Sequence, residues 1–291
     1  MKKNIFHIIA IAYCNICYSQ PYLDIARVNY TYSPKEGLNK KTNPLVSNDY
    51  DVNLTLPLEL KKGGDAILIN PFLNYNQGSI GNRSFHLISE GAGTGFLKKF
   101  KNKEWSLLSV FFLRRNKEVK KRVTKEWQFG GAVVATWKKS TSLELKLGIY
   151  YNKEFKNQVI PLAGIDWEID ERNNLFGLLP GNLVFEHKVS RRFFYGAAFR
   201  ALTNAYSMET TDPCLNGDCS GQNYLRISDN QLGLFGDVYI TPKIVFTSEI
   251  GYTVLRKYRF GFKGSGSHNH TDYKNDNFYL RASLVYRLHL K

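Results

Sequence analysis

The feature that most constrains this chain is a two-residue alternation of apolar and polar side chains, sustained over unusually long segments. From Leu143 to Tyr151 the odd positions are Leu143, Leu145, Leu147, Ile149 and Tyr151, and the even ones are Glu144, Lys146, Gly148 and Tyr150. From Asp49 to Leu60, Tyr50, Val52, Leu54, Leu56, Leu58 and Leu60 alternate with a polar set that includes Asp49, Asp51, Asn53 and Glu59. The stretch from Phe278 to Leu290 repeats the pattern, with Leu280, Leu284 and Tyr286 on one face and Arg281, Ser283 and Arg287 on the other. Weaker versions fill much of the remainder. A strand turns successive side chains to opposite faces, so the pattern predicts strands, and no segment has a helical period. The chain is expected to be all-β.

Strand length then chooses the architecture. Globular strands average about 5–6 residues, whereas a membrane-spanning strand needs about 9–11, tilted near 45°. The alternating segments match the second case. The expected fold is an antiparallel up-and-down transmembrane β-barrel, with its oily face toward lipid and its polar face toward the lumen. That averaging explains a mean hydropathy of −0.34 in a chain that is 43% apolar and 14% aromatic. So many apolar and aromatic residues exclude disorder. Beyond the N-terminus the best apolar run, SLLSVFFL at Ser106–Leu113, has eight residues, against the roughly 18–20 of a spanning helix.

Residues 1–19 read as a secretory signal peptide: Lys2 and Lys3, an apolar segment Ile5–Tyr13, then small residues before a cut after Ser19. A lipoprotein signal at Cys14 is disfavoured by the bulk of Tyr13. Removal of two lysines lowers the net charge from +15 to +13. It also removes Cys14 and Cys17, leaving Cys214 and Cys219 in a turn-rich loop, where an oxidising compartment favours a disulfide over a metal site. Residues 20–291 form the single barrel domain.

The tryptophans mark the membrane edges. Trp127 and Trp137 share a face ten residues apart, about 33 Å along a strand and about 23 Å along the membrane normal, close to the ~25 Å apolar band of such barrels. Trp105 and Trp167 are assigned to the same girdles. Connections alternate in length, which places the short turns and both termini in the periplasm. A hairpin of Leu175–Leu179, Pro180-Gly181 and Asn182–His187 brings the count to 14 strands. Without it the count is 12.

The signal ending in Ser-Gln-Pro, the first strand DIARVNYTYSP, PLAGIDWEID at Pro161–Asp170, GLLP at Gly177–Pro180 and YGAAFR at Tyr195–Arg200 resemble an uncharacterised family of Gram-negative outer-membrane β-barrel proteins. The resemblance spans essentially the whole mature chain and implies a fold and a location, with no activity attached. The chain departs from many such barrels in ending Leu288-His289-Leu290-Lys291 instead of in an aromatic residue.

The lumen-facing candidates are Arg27, Asp51, Glu126, Glu144, Lys146, Asp166, Glu168, Arg200, Asp237, Glu249, Arg281 and Arg287. They either create a transverse field that selects solutes or neutralise each other as filling. Asp166 and Glu168 are a conceivable acid–base pair, but a salt bridge from a residue such as Arg200 is the expected use. The run Arg114, Arg115, Lys117, Lys120, Lys121 and Arg122 is placed in an outer loop near lipopolysaccharide phosphates. Its lack of stacking aromatics argues against nucleic acid. His268, His270 and Asp272 fit a flexible loop better than a metal site, and His86 and Ser89 fall on opposite faces. No catalytic residue, cofactor or metal is expected. The expected function is a small-solute pore, or a binding or structural barrel, with outer-membrane lipid and lipopolysaccharide as surroundings. The alternative is a surface module that binds polyanions through its basic loops, and a lipid-modifying enzyme ranks third.

Overall fold

The computed structural model describes residues 22–34, 45–60, 64–80, 83–101, 104–119, 127–154, 157–208, 224–261 and 270–289. These form fourteen strands: β1 Tyr22–Ser33, β2 in two segments Leu45–Leu54 and Leu56–Glu59, β3 Ala66–Ile80, β4 Arg83–Lys99, β5 Trp105–Glu118, β6 Gln128–Lys138 and β7 Leu143–Lys153. They continue with β8 Asn157–Glu168, β9 Asn173–Leu179, β10 Asn182–Lys188, β11 Phe193–Ser207, β12 Tyr224–Tyr239, β13 Ile244–Gly261 and β14 in two segments, His270–Lys274 and Phe278–His289. Each strand pairs antiparallel with the next, and β1 pairs with β14 from Tyr22↔His289 to Tyr32↔Leu280. The sheet is closed, so the count of 14 stands and the β9–β10 hairpin is part of the wall.

The sides of the sheet follow the sequence alternation. Val28, Val52, Leu147, Ile149, Val159, Leu234, Ile250 and Leu284 are each at least half exposed, except Val52 at 38%, and they lie on strands all around the barrel. A soluble protein would bury this surface. The inward face instead carries carboxylates, guanidinium groups and carboxamides, the inverse of a globular core.

Local chemistry sets the strand ends. At the short-turn end, Asp170 Oδ1 accepts the N–H groups of Arg172 and Asn173 (2.8 and 2.9 Å). Bonds from Asn173 and Arg172 hold its carboxyl below the usual carboxylate range. Ser190 Oγ treats Arg192 and Phe193 in the same way, as does Thr241 Oγ1 with Lys243 and Ile244. Asp, Ser and Thr at the first turn position satisfy backbone donors that a ladder cannot reach. The break in β2 at Thr55 lies opposite Asn70 and Pro71 of β3. Proline has no N–H to give, and Asn70 Nδ2 serves instead, reaching Leu54 O at 2.5 Å and Thr55 Oγ1 at 3.0 Å.

The opposite end has two tiers. The β9–β10 hairpin stops at the level of Ala163 on β8 and Arg200 on β11, while β8 runs on to Asn157 and β11 to Ser207. The upper part of β11 pairs in parallel with β5 at Ser207↔Lys117, so β11 and β5 meet across the tops of β6–β10. Several outer connections are shorter than the alternation suggests. Between β3 and β4 only residues 81–82 intervene. In β5 both faces are polar over Arg114–Glu118, so the pairing continues after the sequence signal has ended.

Candidate functional site: a charge-lined cavity

Inside the barrel lies a cavity of about 420 Å³. One wall is built by β1–β3, which project Asn29, Asp49, Asp51, Asn53, Asn74 and Asn76 inward. Asp51 Oδ1 accepts from Asn29 and Asn53 at 2.8 Å each, and Asp49 accepts from Asn74 and Asn76 at 2.8 and 2.9 Å. The adjoining wall of β11–β14 carries Arg200, Arg281 and Glu249, with Arg281 separated from Asp49 only by Thr31 in the register. Glu249 Oε1 accepts from Arg200 at 2.6 Å, from Arg281 at 3.2 Å and from Tyr279 Oη at 2.6 Å. Arg281 also reaches Gln231 at 2.5 Å and Thr31 at 3.0 Å.

Side chains pack into the lumen at both ends of the cavity. At the short-turn end Arg287 donates to Asp24 and Asp237, each at 2.7 Å, and lies over the Tyr22 ring at 3.6 Å. Phe194, Tyr239, Val245 and Val285 pack beside it. At the outer end Phe85, Leu87, Tyr206, Met208, Leu225, Tyr258 and Phe260 form a buried apolar cluster. Arg114 ties the two tiers together, donating to Gln128 at 3.1 Å, Asn204 at 3.1 Å and Glu154 at 2.9 Å.

Of the residues singled out in the sequence, Arg27, Asp51, Arg200, Asp237, Glu249, Arg281 and Arg287 line this cavity. Glu144, Lys146 and Asp166 do not. Lys146 and Asp166 form an ion pair beside buried Glu144, away from the cavity lining. Asp166 therefore pairs with Lys146 on the adjacent strand and not with Arg200, which lies three strands away. Glu168 is exposed at the end of β8, so it makes no lumen wall and no carboxylate pair.

The basic loop also needs correction. Arg114, Arg115 and Lys117 belong to β5, because the ladder with β4 continues to Leu87↔Glu118. Arg114 points inward and is 9% exposed, whereas Arg115 points outward to an ion pair with Glu90. Trp105, Trp137 and Trp167 sit outward at the short-turn end and Trp127 outward at the other; Trp105 and Trp137 stack at 6.1 Å. His86 bonds Tyr75 at 2.9 Å and Ser89 bonds Asn116 at 2.5 Å, on opposite faces. Asp272 is held by Arg259 and Lys257, and no cluster of His, Cys, Asp or Glu fit for a metal occurs among the described residues. The signal segment, Lys120, Lys121, Arg122, Glu126, Cys214, Cys219 and His268 lie outside the described residues.

Sequence reasoning missed Asp24 and Arg256. Both sit at register shifts: one between Asp24 and Ala26, the other where Ser228↔Lys257 gives way to Asn230↔Val254. A bulge switches the parity that assigns a side chain to a face, and no simple alternation can follow it.

No curated protein matches the chain. Among solved structures it is similar to the COG4313 outer membrane channel from Pseudomonas putida F1, with 10% identity over 90% of this chain and 94% of that chain and a TM-score of 0.47. It is also similar to the NanC porin, with 7% identity over 90% and 100% of the two chains and a TM-score of 0.40. A deltaS2S3 mutant of the TodX monoaromatic hydrocarbon channel gives 9% identity over 91% and 89%, at a TM-score of 0.41. A family model described as "Domain of unknown function (DUF6268)" matches residues 84–287. That match covers more than half of the 291 residues, and the chain belongs to the DUF6268 family.

Proposed function

We propose that the chain is an outer-membrane barrel of a Gram-negative cell, delivered by cleavage of its signal near Ser19, that admits a small polar solute to its cavity and passes it across. The observation that carries this reading is a polar cavity of about 420 Å³ lying between two clusters of packed side chains inside a barrel with an apolar exterior. Its volume falls in the range of small-molecule sites, about 300–1,000 Å³. Such a chamber suits a solute taken one at a time better than a permanently water-filled channel. Chemistry on the solute is no part of the proposal: the inward carboxylates that meet a cation are held in ion pairs, and Ser89 is spent on Asn116.

Outer-membrane lipid and lipopolysaccharide are the proposed surroundings. The separate reading, a surface module that binds polyanions through a basic run, loses support because Arg114 is buried and Arg115 is paired.

The test is solute entry into proteoliposomes. Vesicles carrying the barrel should admit small polar solutes such as glycerol faster than empty vesicles and exclude large sugars, with only small ion conductance in planar bilayers. Entry no faster than in empty vesicles would sink transport. A large steady conductance would sink the closed chamber.

A further inference from the structure

Above the β9–β10 hairpin the barrel wall parts. Up to the hairpin tip, two strands bridge β8 and β11, an interval of about 14 Å from three spacings of roughly 4.8 Å. The bridge ends at Leu179↔Ala163 and Asn182↔Arg200. Beyond it β8 continues along β7 to Asn157, and β11 along β12 to Ser207. Ala201 N–H donates to Gly181 O at 2.8 Å at the lower rim. At the upper rim Gln128 donates to Ala205 O at 2.7 Å, and Ser207 pairs with Lys117. Between these ties, among the described residues, the facing edges of β8 and β11 have no ladder partner. The gap lies in the outer half of the membrane. Leu162 is five residues from Trp167 of the short-turn girdle, about 16 Å along the strand and about 12 Å along the normal, half of the ~25 Å apolar band.

The backbone at the gap is polar. Glu168 N–H bonds Ser142 O on the β7 side, so the odd positions of β8 turn their backbone groups toward β9 and, higher up, toward the gap. Pro161 is one of them, and proline has no N–H to leave unpaired on such an edge. On β11 the tie from Ala201 places the N–H and C=O of Thr203 on the gap side. Irregular backbone at membrane depth is tolerated only against protein or a water-filled cavity, so hydrocarbon alone does not suit this edge. The side chains have the opposite chemistry. Leu202 lines the cavity and is 44% exposed, and Val184 and buried Phe176 continue its side of the lumen. Asn182 at the hairpin tip is exposed, and Arg200 and Asn204 are half-buried cavity residues beside it.

We infer that this gap is a lateral portal through which a single-chain amphiphile enters the cavity from the outer leaflet. Its polar head answers the edge backbone at Thr203 and the side chains of Asn182, Arg200 and Asn204. Its alkyl chain lies along Leu202 toward the bilayer. A wholly polar solute would gain nothing from Leu202 and Val184, and a pure hydrocarbon would leave the edge backbone unmet. A cavity of about 420 Å³ has the size of a site for one small molecule, and it holds one alkyl chain, not the pair of a phospholipid. The inference rests on the reading of the cavity as a solute chamber, to which it adds a sideways route and an apolar chain on the solute.

The test sets a fluorophore in the lumen and a quencher on alkyl chains. The barrel with Cys214→Ser and Cys219→Ser is reconstituted in vesicles with bimane attached at Leu202→Cys. Two further labels calibrate it: Leu234→Cys, which faces lipid, and Asn53→Cys, which lines the same cavity on a strand paired at both edges. The vesicles contain a fatty acid or a two-chain phospholipid, each with a nitroxide on its chain. The fatty acid should quench the label at 202 at least several-fold more than the label at 53, and nearly as much as the label at 234. Quenching at 202 no greater than at 53 overturns the portal. If, relative to 234, the phospholipid quenches 202 as well as the fatty acid does, the single-chain class falls. Where a heat-shift gel shows labelled Leu202→Cys unfolded, Asn182→Cys carries the same expectation. Glycerol entry into the same vesicles separates the two readings. Entry without quenching at 202 sinks the portal and leaves the chamber; quenching without entry upholds the portal and sinks passage across the membrane.

Discussion

At the scale of single residues, space around the Glu249 cluster is made by missing side chains. A Cβ on Gly251 would lie 2.3 Å from Tyr279 Cζ and 2.5 Å from Leu232 O, and the backbone atom cannot step aside. Gly251→Ala should therefore lower stability by about 1–3 kcal/mol, as overpacking does, and tilt Tyr279 away from Glu249. Gly236→Ala is the control, since its Cβ would meet only Phe193, at 3.5 Å, and should be tolerated. The temperature at which the barrel loses its fast-migrating gel form reads both, and equal melting of the two variants refutes the argument. Arg287 is 3% exposed and bonded to two carboxylates. Arg287→Ala takes the cation from buried Asp237, while Asp24 keeps Arg27, and should cost about 3–5 kcal/mol; a loss under ~1 kcal/mol in urea unfolding would contradict it. At the outer end, partial burial pushes the Asp272 carboxyl up, but hydrogen bonds and charge from Arg259 and Lys257 outweigh that and hold it at about 2. Because this folded value lies below the unfolded one, the stabilisation is present above about pH 4 and is lost as pH falls toward 2. The stability difference between the native chain and Asp272→Asn should shrink across that interval in acid urea titrations. A difference constant from pH 7 to pH 2.5 would refute it.

At the scale of elements, bulges and strand length decide what each strand can offer. In β13, Thr253 faces inward and so do Arg256, Tyr258 and Phe260, a parity switch made by placing Val254 and Leu255 together on the outer side. Leu255 has φ of 58° and is 73% exposed. Left-handed backbone costs a non-glycine residue about 1–2 kcal/mol and β-branched residues more. Leu255→Gly should therefore be neutral or stabilising, and Leu255→Val destabilising by about 1 kcal/mol or more; the reverse order in thermal gels would show that the bulge is not strained. The alternation made most of the wall legible, because lipid outside and a polar lumen inside leave each side chain little choice. Pro180-Gly181 likewise marked the β9–β10 hairpin. It was illegible where that contrast fades. Arg114–Glu118 resembled a loop because both faces of β5 are polar there. Arg256 and Asp24 lay on the wrong parity for want of a visible bulge. Asp51 was recognisable as inward, but the four asparagines around Asp49 and Asp51 come from three strands, and only the register assembles them.

At the scale of the whole molecule, the cavity lies on one path between two packed clusters, the Arg287–Tyr22 contact at the short-turn end and the apolar cluster around Phe85 at the other. The clusters differ in chemistry, one ionic and one oily, so a hydrated ion meets a desolvation barrier at the outer end and a charged constriction at the inner one. Resistances in series add. Removing either cluster alone leaves the other in command, and if the two are equal it can raise conductance by at most about twofold. Removing both should raise it by far more than the sum of the single effects. Arg287→Ala opens the inner end and Phe85→Ala the outer one, and neither residue belongs to the Asp49–Asp51 wall. In planar bilayers the expected order is a low native conductance, two small increments for the single variants, and a large increase for the double variant. If Phe85→Ala alone matches the double variant, the inner contact is no barrier and ions already pass Arg287. If the double variant stays closed while its gel shift reports a folded barrel, a third constriction must lie along the path, and the closed chamber is the wrong description of this lumen.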